Sequence, residues 1–332
     1  MLYWYKYVYK HPVEMIKIGI DAMGGDNAPE VVVKGAIKAL SYLGTDCRLV
    51  LYGHKSSIET ILDQQGIGAD IFDIVHTPDQ INMGDNPAES FISKQESSIV
   101  KAFNHLAEGK IDALASAGST GAMMVGAKMI IKPLSGVLRP TIALSVPTTS
   151  GSKVTILDIG INIDCKPEVL EQYAVIGSLY ARKVIGMDSP RVALLNIGEE
   201  SGKGNAQAKA AYALLSKGNK QGKYNFVGNI EASHIFTGER ADVVVCDGFV
   251  GNTIIKLIEG LHKINTSNNL TDNFWRGMDY EQIGGIPILG INAPVTVAHG
   301  KSTPEAIKNM IISTHDTVKS GLINQLKKSF QD

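Results

Sequence analysis

The sequence predicts a doubly wound, three-layer α/β/α sandwich built on a mostly parallel sheet. Three observations predict it. From Met15 onward, short β-branched runs alternate with amphipathic stretches of helical length. Most of these runs are continuously apolar rather than alternating, the pattern of parallel strands covered on both faces. Glycine-rich turns then recur where the runs give way to helical stretches, which is where open α/β sheets place their ligand-binding loops. Strand–helix repetition of this kind means a doubly wound α/β sandwich.

Taken in chain order, the predicted strands cover residues 17–23, 47–53, 71–77, 113–117, 141–147, 154–159, 191–197, 225–229 and 242–246. The predicted helices cover 29–43, 87–107, 167–185, 205–217, 250–262 and 304–326. Pro29, Pro87, Pro167 and Pro304 open four of them, where the missing N–H costs nothing and the fixed φ suits a first turn. Two helix starts echo one another, Gly25-Asp26-Asn27-Ala28-Pro29-Glu30 and Gly84-Asp85-Asn86-Pro87-Ala88-Glu89. No fixed period follows, so this is helix-start chemistry rather than a repeat fold.

Residues 15–332 are read as one domain. Residues 1–14 are aromatic-rich, lack a signal peptide's apolar core and precede a second methionine, Met15. They are read as an extension ahead of the fold, with a membrane-interface anchor as the sharper alternative. Of 332 residues, 44% are hydrophobic, which excludes global disorder. The 32 basic and 33 acidic side chains leave a net charge of −1, which speaks against a nucleic-acid-binding surface spread over the chain. No stretch approaches the roughly 18 uncharged apolar residues of a membrane span. Cys47, Cys165 and Cys246 are far apart and odd in number. They are expected to be buried structural thiols in a reducing compartment, not a disulfide framework or a CxxC metal site.

Glycine is the compositional signal, with 34 residues concentrated at the ends of apolar runs. After the first strand stands Asp21-Ala22-Met23-Gly24-Gly25-Asp26, where adjacent glycines let amides approach an anion ahead of a helix dipole. It is not GxGxxG, so no dinucleotide fingerprint is present, and a tight βα turn explains it equally well. After the fourth strand, Ser119-Thr120-Gly121 opens an apolar helix and offers amides and hydroxyls to a phosphate. It lacks the spacing of an ATPase P-loop. Asp158, Asn162 and Asp164 stand at alternate positions after the 154–159 run, ahead of Lys166-Pro167. Without a histidine or third carboxylate they do not argue for a metal, and neither metal nor cofactor is expected.

Asn196 ends the next strand, and Lys203-Gly204-Asn205 precedes a helix, placing Lys203 as a phosphate-binding cation would be placed. A solvated loop lysine is the competing reading. Asp247-Gly248-Phe249-Val250-Gly251-Asn252 closes the last such run, and His299-Gly300 follows the apolar run 293–298. Each motif is weak singly; together they imply an anionic ligand recognised by backbone amides.

In this order and spacing, the motifs resemble the PlsX family, the bacterial phosphate acyltransferases of phospholipid synthesis. The resemblance covers Met15 to the C-terminus, through Asp21–Asp26, 116–122, 158–168, 196–205 and 245–252. It implies a fold akin to phosphotransacetylases and to isocitrate/isopropylmalate dehydrogenases. It also implies transfer of a long-chain acyl group from acyl carrier protein to inorganic phosphate, in a cytoplasmic homodimer peripheral to the inner face of the membrane. The acyl phosphate would serve glycerol-3-phosphate acylation by the membrane acyltransferase PlsY.

Carried onto matching positions, Lys203 and Asn252 are the expected catalytic residues. Asp21, Gly24, Gly25, Asp26, Ser119, Thr120, Gly121, Asp158, Asn162, Asp164, Lys166, Asn196, Gly204, Asn205, Asp247, Gly248 and His299 are the expected phosphate- and substrate-binding set. The chemistry needs no Ser–His or Cys–His pair, because phosphate is already an anionic nucleophile and a thioester has a good leaving group.

An acidic carrier protein calls for a local basic patch, from Lys128, Lys132 and Arg139 or from Arg182 and Lys183. Two departures from the family stand out. The segment 261–283 is shorter and more polar, weakening what the resemblance implies about dimerisation and membrane contact, and the basic cluster near residues 91–95 is thinned to Lys94. Competing readings are a short-chain phosphotransacylase using coenzyme A, a decarboxylating dehydrogenase and a non-enzymatic membrane scaffold. The dehydrogenase lacks the acid cluster and dinucleotide site it would need.

Overall fold

The computed structural model describes residues 15–268 and 273–331. Residues 1–14 and residues 269–272, within the segment 261–283, lie outside them. Among the described residues, eleven strands form one sheet: β1 (Ile16–Asp21), β2 (Cys47–Gly53), β3 (Asp73–His76), β4 (Ala113–Ser116), β5 (Thr141–Pro147), β6 (Lys153–Leu157), β7 (Arg191–Leu195), β8 (Asn225–Ile230), β9 (Val243–Val245), β10 (Ile286–Leu289) and β11 (Val295–Val297). Their spatial order is β3-β2-β1-β4-β11-β10-β5-β6-β9-β7-β8.

The sheet is two parallel sets joined by antiparallel steps. Strands β3, β2, β1, β4 and β11 run parallel, and so do β6, β9, β7 and β8. Between the sets, β10 is antiparallel to both β11 and β5, and β5 is antiparallel to β6. Three reversals leave the two sets running in opposite senses. The α/β sandwich and the mostly parallel sheet predicted from sequence are therefore both present, with an antiparallel seam that the apolar runs do not announce.

Burial explains the continuous runs. Ile18, Ile20, Leu49, Leu51, Ile156, Val243 and Val244 are all sealed from solvent, because helices cover both faces of the sheet. Each half has its own apolar layers, one around Ile18, Val33 and Ile307 and another around Leu157, Tyr173 and Val243.

The nine predicted strands are found with shifts of one or two residues at most ends. Two were not predicted. β10 is four residues long and contains Pro287, and β11 is three residues long and directly follows Pro294; a proline in or beside a run argues against a strand. The predicted helix 87–107 is two helices, Pro87–Ser93 and Ser98–Ala107, and 304–326 is likewise Pro304–Lys319 and Leu322–Gln331. Helix Lys55–Gln64 escaped prediction because its apolar face is only Ile58, Ile61 and Leu62.

Candidate active site

The glycine-rich turns fall into two groups, one per parallel set. The first group lies where β1, β4 and β11 end side by side. Asp21, the last residue of β1, is buried and accepts the Ser116 hydroxyl hydrogen at 2.6 Å. The Gly118 amide donates to that hydroxyl oxygen at 2.9 Å, and the Met23 amide donates to Asp21 at 3.2 Å. Burial pushes the Asp21 carboxyl above its ordinary range, against the opposing pull of these hydrogen bonds and one from Ser98.

Gly24 closes over the carboxylate, and a Cβ there would stand 2.5 Å from Asp21 Oδ2 and 2.7 Å from the Gly118 nitrogen. The Asp26 amide donates to the Gly300 carbonyl at 2.8 Å, tying the 298–302 turn to the first glycine pair. Within that turn the His299 Nδ1 accepts the Lys301 amide at 3.1 Å. Ser119 caps helix Thr120–Gly126 by accepting the Ala122 amide at 3.3 Å, while Gly121 packs on Pro87 and Thr120 stays exposed.

The second group gathers at the ends of β6, β9 and β7. Asp158 is fully buried, and its carboxylate accepts amides from Gly160 and Ile161 at 3.3 Å each and from Asn162 at 2.6 Å. The Asn162 side-chain nitrogen donates to Asp158 at 3.0 Å and to the Pro140 carbonyl at 2.7 Å. Asp158 and Asn162 were expected to face a ligand. Their polar atoms are instead occupied in shaping the 158–162 turn.

The next helix, Gly248–Ser267, is pressed onto that turn. Asp247 caps it by accepting the Val250 amide at 2.9 Å, and the Gly248 amide donates to the Asn162 carbonyl at 2.8 Å. A Cβ on Gly251 would stand only 1.9 Å from the Asp158 carbonyl oxygen. This approach lays the exposed Asn252 against Gly160, whose backbone φ of +139° favours glycine.

On β7, Asn196 holds its own turn, accepting the Ile197 amide at 2.8 Å and donating to the Lys203 carbonyl at 3.2 Å. Gly204 packs against that Asn196 amide, and Asn205 caps helix Ala206–Lys220 through the Ala208 amide at 2.8 Å. Lys203 is half exposed and its Nζ lies 3.9 Å from Glu200, a long pair that leaves the cation accessible. Asp164 and Lys166, which follow the 158–162 turn in the chain, are exposed.

The structure thus brings Asn252 to the 158–162 turn and sets Lys203 at the end of β7, which pairs directly with β9. Among the described residues no hydrogen bond joins the first group to the second; the five turns expected to act together form two clusters. Between them lies a feature the sequence reading missed. A cavity of about 650 Å³ runs between helix Gly248–Ser267 and strands β5, β10 and β11, ending at His299 and Lys301. Its signal was available in Ile255, Ile258 and His262, which share one helical face.

Burial works against cysteine nucleophiles in this fold. Burial pushes the Cys165 thiol up to about 11 and Cys246 well above its ordinary value, so neither is a thiolate at neutral pH. Cys47 is likewise pushed up to about 11. Among the described residues no group of three or more His, Cys, Asp or Glu is placed to hold a metal ion.

Glycine-rich strand ends leading into helix starts, beside an accessible lysine, are the arrangement by which open α/β folds bind anions. In its overall fold the chain is similar to a phosphotransacetylase from Streptococcus pyogenes, with a TM-score of 0.65 at 18% identity, over 92% of this chain and 94% of that one. It is also similar to a 4-hydroxythreonine-4-phosphate dehydrogenase from Salmonella typhimurium, with a TM-score of 0.55 at 16% identity, over 91% and 99% of the two chains.

The family profile described as "Fatty acid synthesis protein" matches residues 16–267. A phosphate acyltransferase of Desulforamulus reducens is 41% identical, over 96% of this chain and 98% of that relative. The chain belongs to this family of phosphate acyltransferases of fatty acid and phospholipid synthesis, the PlsX family, and it is an acyltransferase.

Proposed function

We propose that this enzyme transfers a long-chain fatty acyl group from acyl carrier protein to inorganic phosphate, releasing acyl phosphate for glycerol-3-phosphate acylation. The observation that carries the reading is the pair of available polar groups in the segments that follow two adjacent strands, β7 and β9. Lys203 offers an accessible ammonium after β7, and Asn252 offers an amide with no hydrogen bond among the described residues, after β9.

In this reading Lys203, with the amides of Gly204 and Asn205, holds phosphate beside the thioester. A phosphate oxygen attacks the carbonyl carbon, forming the C–O bond and a tetrahedral oxyanion. The Asn252 amide donates to that oxyanion. Collapse breaks the C–S bond and expels the carrier thiolate, which takes a proton from solvent. The protein supplies position and electrostatics, not a nucleophile, in keeping with the protonated state of its cysteines.

Asp164, Lys166, Asn196, Asp247 and Gly248 frame this half of the site. Asp21, Gly24, Gly25, Asp26, Ser119, Thr120, Gly121 and His299 frame the other half, where Asp21 acts through Ser116 rather than by touching substrate.

The test is phosphate-dependent consumption of acyl carrier protein thioester, with the acyl phosphate trapped by hydroxylamine. Hydroxamate is expected only when enzyme and phosphate are both present. Thioester loss without hydroxamate, or hydroxamate formation indifferent to phosphate, would overturn the reading.

We also propose a cytoplasmic homodimer in peripheral contact with the membrane. Leu257, Leu261 and Ile264 support it, forming an exposed apolar strip on the side of helix Gly248–Ser267 away from the cavity. No helix among the described residues is long and apolar enough to cross a membrane.

A further inference from the structure

We infer that the cavity between helix Gly248–Ser267 and strands β5, β10 and β11 receives the hydrocarbon chain of the acyl donor. The inference rests on the proposed acyl transfer and adds where the chain goes and what limits its length. Three observations carry it.

The first is chemistry. The cavity holds about 650 Å³, well within the roughly 300–1,000 Å³ of small-molecule sites. Leu144, Val146, Ile255, Ile258, Met278 and Val297 form its apolar walls. Polar side chains also border it, Glu259, His262, Lys263 and Thr266 on the helix and His299 and Lys301 at the β11 end, so the apolar walls lie between polar ends.

The second is continuity. Ile255, Glu259, His262 and Thr266 follow Asn252 at helical spacing, so the residue proposed to meet the thioester oxyanion heads the same face that lines the cavity. A chain leaving the reacting carbonyl beside Asn252 passes along this face without crossing the helix.

The third is length. From Ile255 to Thr266 the helix rises about 16 Å. An extended chain of tetrahedral atoms advances about 3.5 Å every three bonds. The wall therefore accommodates a chain of about fourteen carbons, in the range of membrane-lipid acyl groups and far beyond an acetyl or butyryl group.

The experiment is a chain-length series of acyl carrier protein donors, from four to eighteen carbons, assayed with phosphate and hydroxylamine trapping. For the native enzyme, kcat/KM is expected to rise up to about fourfold per added methylene, levelling off near fourteen carbons. Ile258→Trp, which fills the middle of the cavity, should break the rise at shorter chains while short donors keep their kcat. Thr266→Trp, at the far end, should affect only the longest donors.

Circular dichroism melting and retained short-donor turnover establish that each variant is folded; should Ile258→Trp fail to fold, Thr266→Trp decides alone. An unchanged chain-length profile in the folded variants overturns the inference. So does an unchanged profile accompanied by an altered oligomeric state, which would make the cavity part of a contact between copies. If product forms with no dependence on chain length, this inference falls while the proposed function stands. If no donor yields hydroxamate, both fall.

Discussion

Lys203 and Asn252 differ from their neighbours because their polar atoms are not consumed by the fold. Ser119, Asn205 and Asp247 each spend a side-chain oxygen on a helix start, and Asp158 spends both of its oxygens on the turn that follows it. The sequence showed that these residue types cluster at strand ends; it could not show which of them are already engaged, since a capping asparagine and a reactive one look alike in one dimension. Lys203→Ala is expected to abolish acyl-phosphate formation with little change in melting temperature, because a half-exposed lysine in a 3.9 Å ion pair adds little stability. Asn252→Ala should lower kcat about a hundred- to a thousand-fold, the usual loss for one oxyanion donor. Steady-state kinetics beside thermal melting check both, and near-normal turnover in either variant would remove that residue from the mechanism.

Asp21 makes a different, pH-dependent prediction. Burial raises its carboxyl pKa in the folded protein above the ordinary value near 3.8. The protonated form is therefore the one the fold favours, and its contribution to stability is complete below about pH 3.8. That contribution declines as pH rises toward the folded-state value, because the unfolded chain ionises first. Asp21→Asn keeps an acceptor for Ser116 and removes the ionisation. Its stability relative to the native protein should thus rise with pH above about 4, measured by urea unfolding at a series of pH values. A difference constant across that range would contradict the buried, proton-favouring site.

At the scale of elements, helix Gly248–Ser267 positions most of the proposed chemistry. Its first turn lies on the 158–162 turn, its inward face lines the cavity, and its outward face carries the apolar strip. The sequence revealed the helix and its Gly-Asn start, but not the contact that fixes it, which depends on two strands far apart in the chain. Gly251→Ala would drive a Cβ to 1.9 Å from a backbone oxygen, so the helix start must move. A loss of about 1–3 kcal/mol or more is expected, together with loss of turnover as Asn252 shifts. Gly260→Ala, where nothing lies within 4 Å, is the control and should stabilise by about 0.5–1 kcal/mol. Denaturant unfolding and activity assays on the pair distinguish a packing role from a general dislike of alanine. Elsewhere, legibility followed the apolar runs: continuous strands such as β2 and β5 were found at their true ends, whereas Pro287 within β10 and Pro294 before β11 broke the signal.

Across the whole molecule, two oppositely running parallel sets meet at the β10–β5 seam, which is why turns that read as one series form two clusters. Antiparallel pairing between distant segments leaves no mark in local periodicity, so this division was not legible in advance. The cavity spans the division, with the β11 end on one side and the Asn252 helix on the other. Net charge imposes a further condition. At −1 overall, the chain offers the proposed acidic carrier protein no general attraction, so under that proposal recognition would come from cations placed beside the site. Among the basic residues singled out from sequence, Arg139 is the best placed. It is exposed, makes no ion pair among the described residues, and adjoins Pro140, whose carbonyl accepts the Asn162 amide of the 158–162 turn at 2.7 Å. Arg139→Glu should raise KM for carrier-bound donors several-fold with kcat preserved, and should weaken the fall of kcat/KM with added salt, since a rim charge acts chiefly on encounter. The same variant should leave turnover of a carrier-free acyl thioester unchanged. An equal effect on both donors would mean that Arg139 shapes the turn rather than meeting the carrier, and an effect on neither would move the docking surface to Arg182 and Lys183.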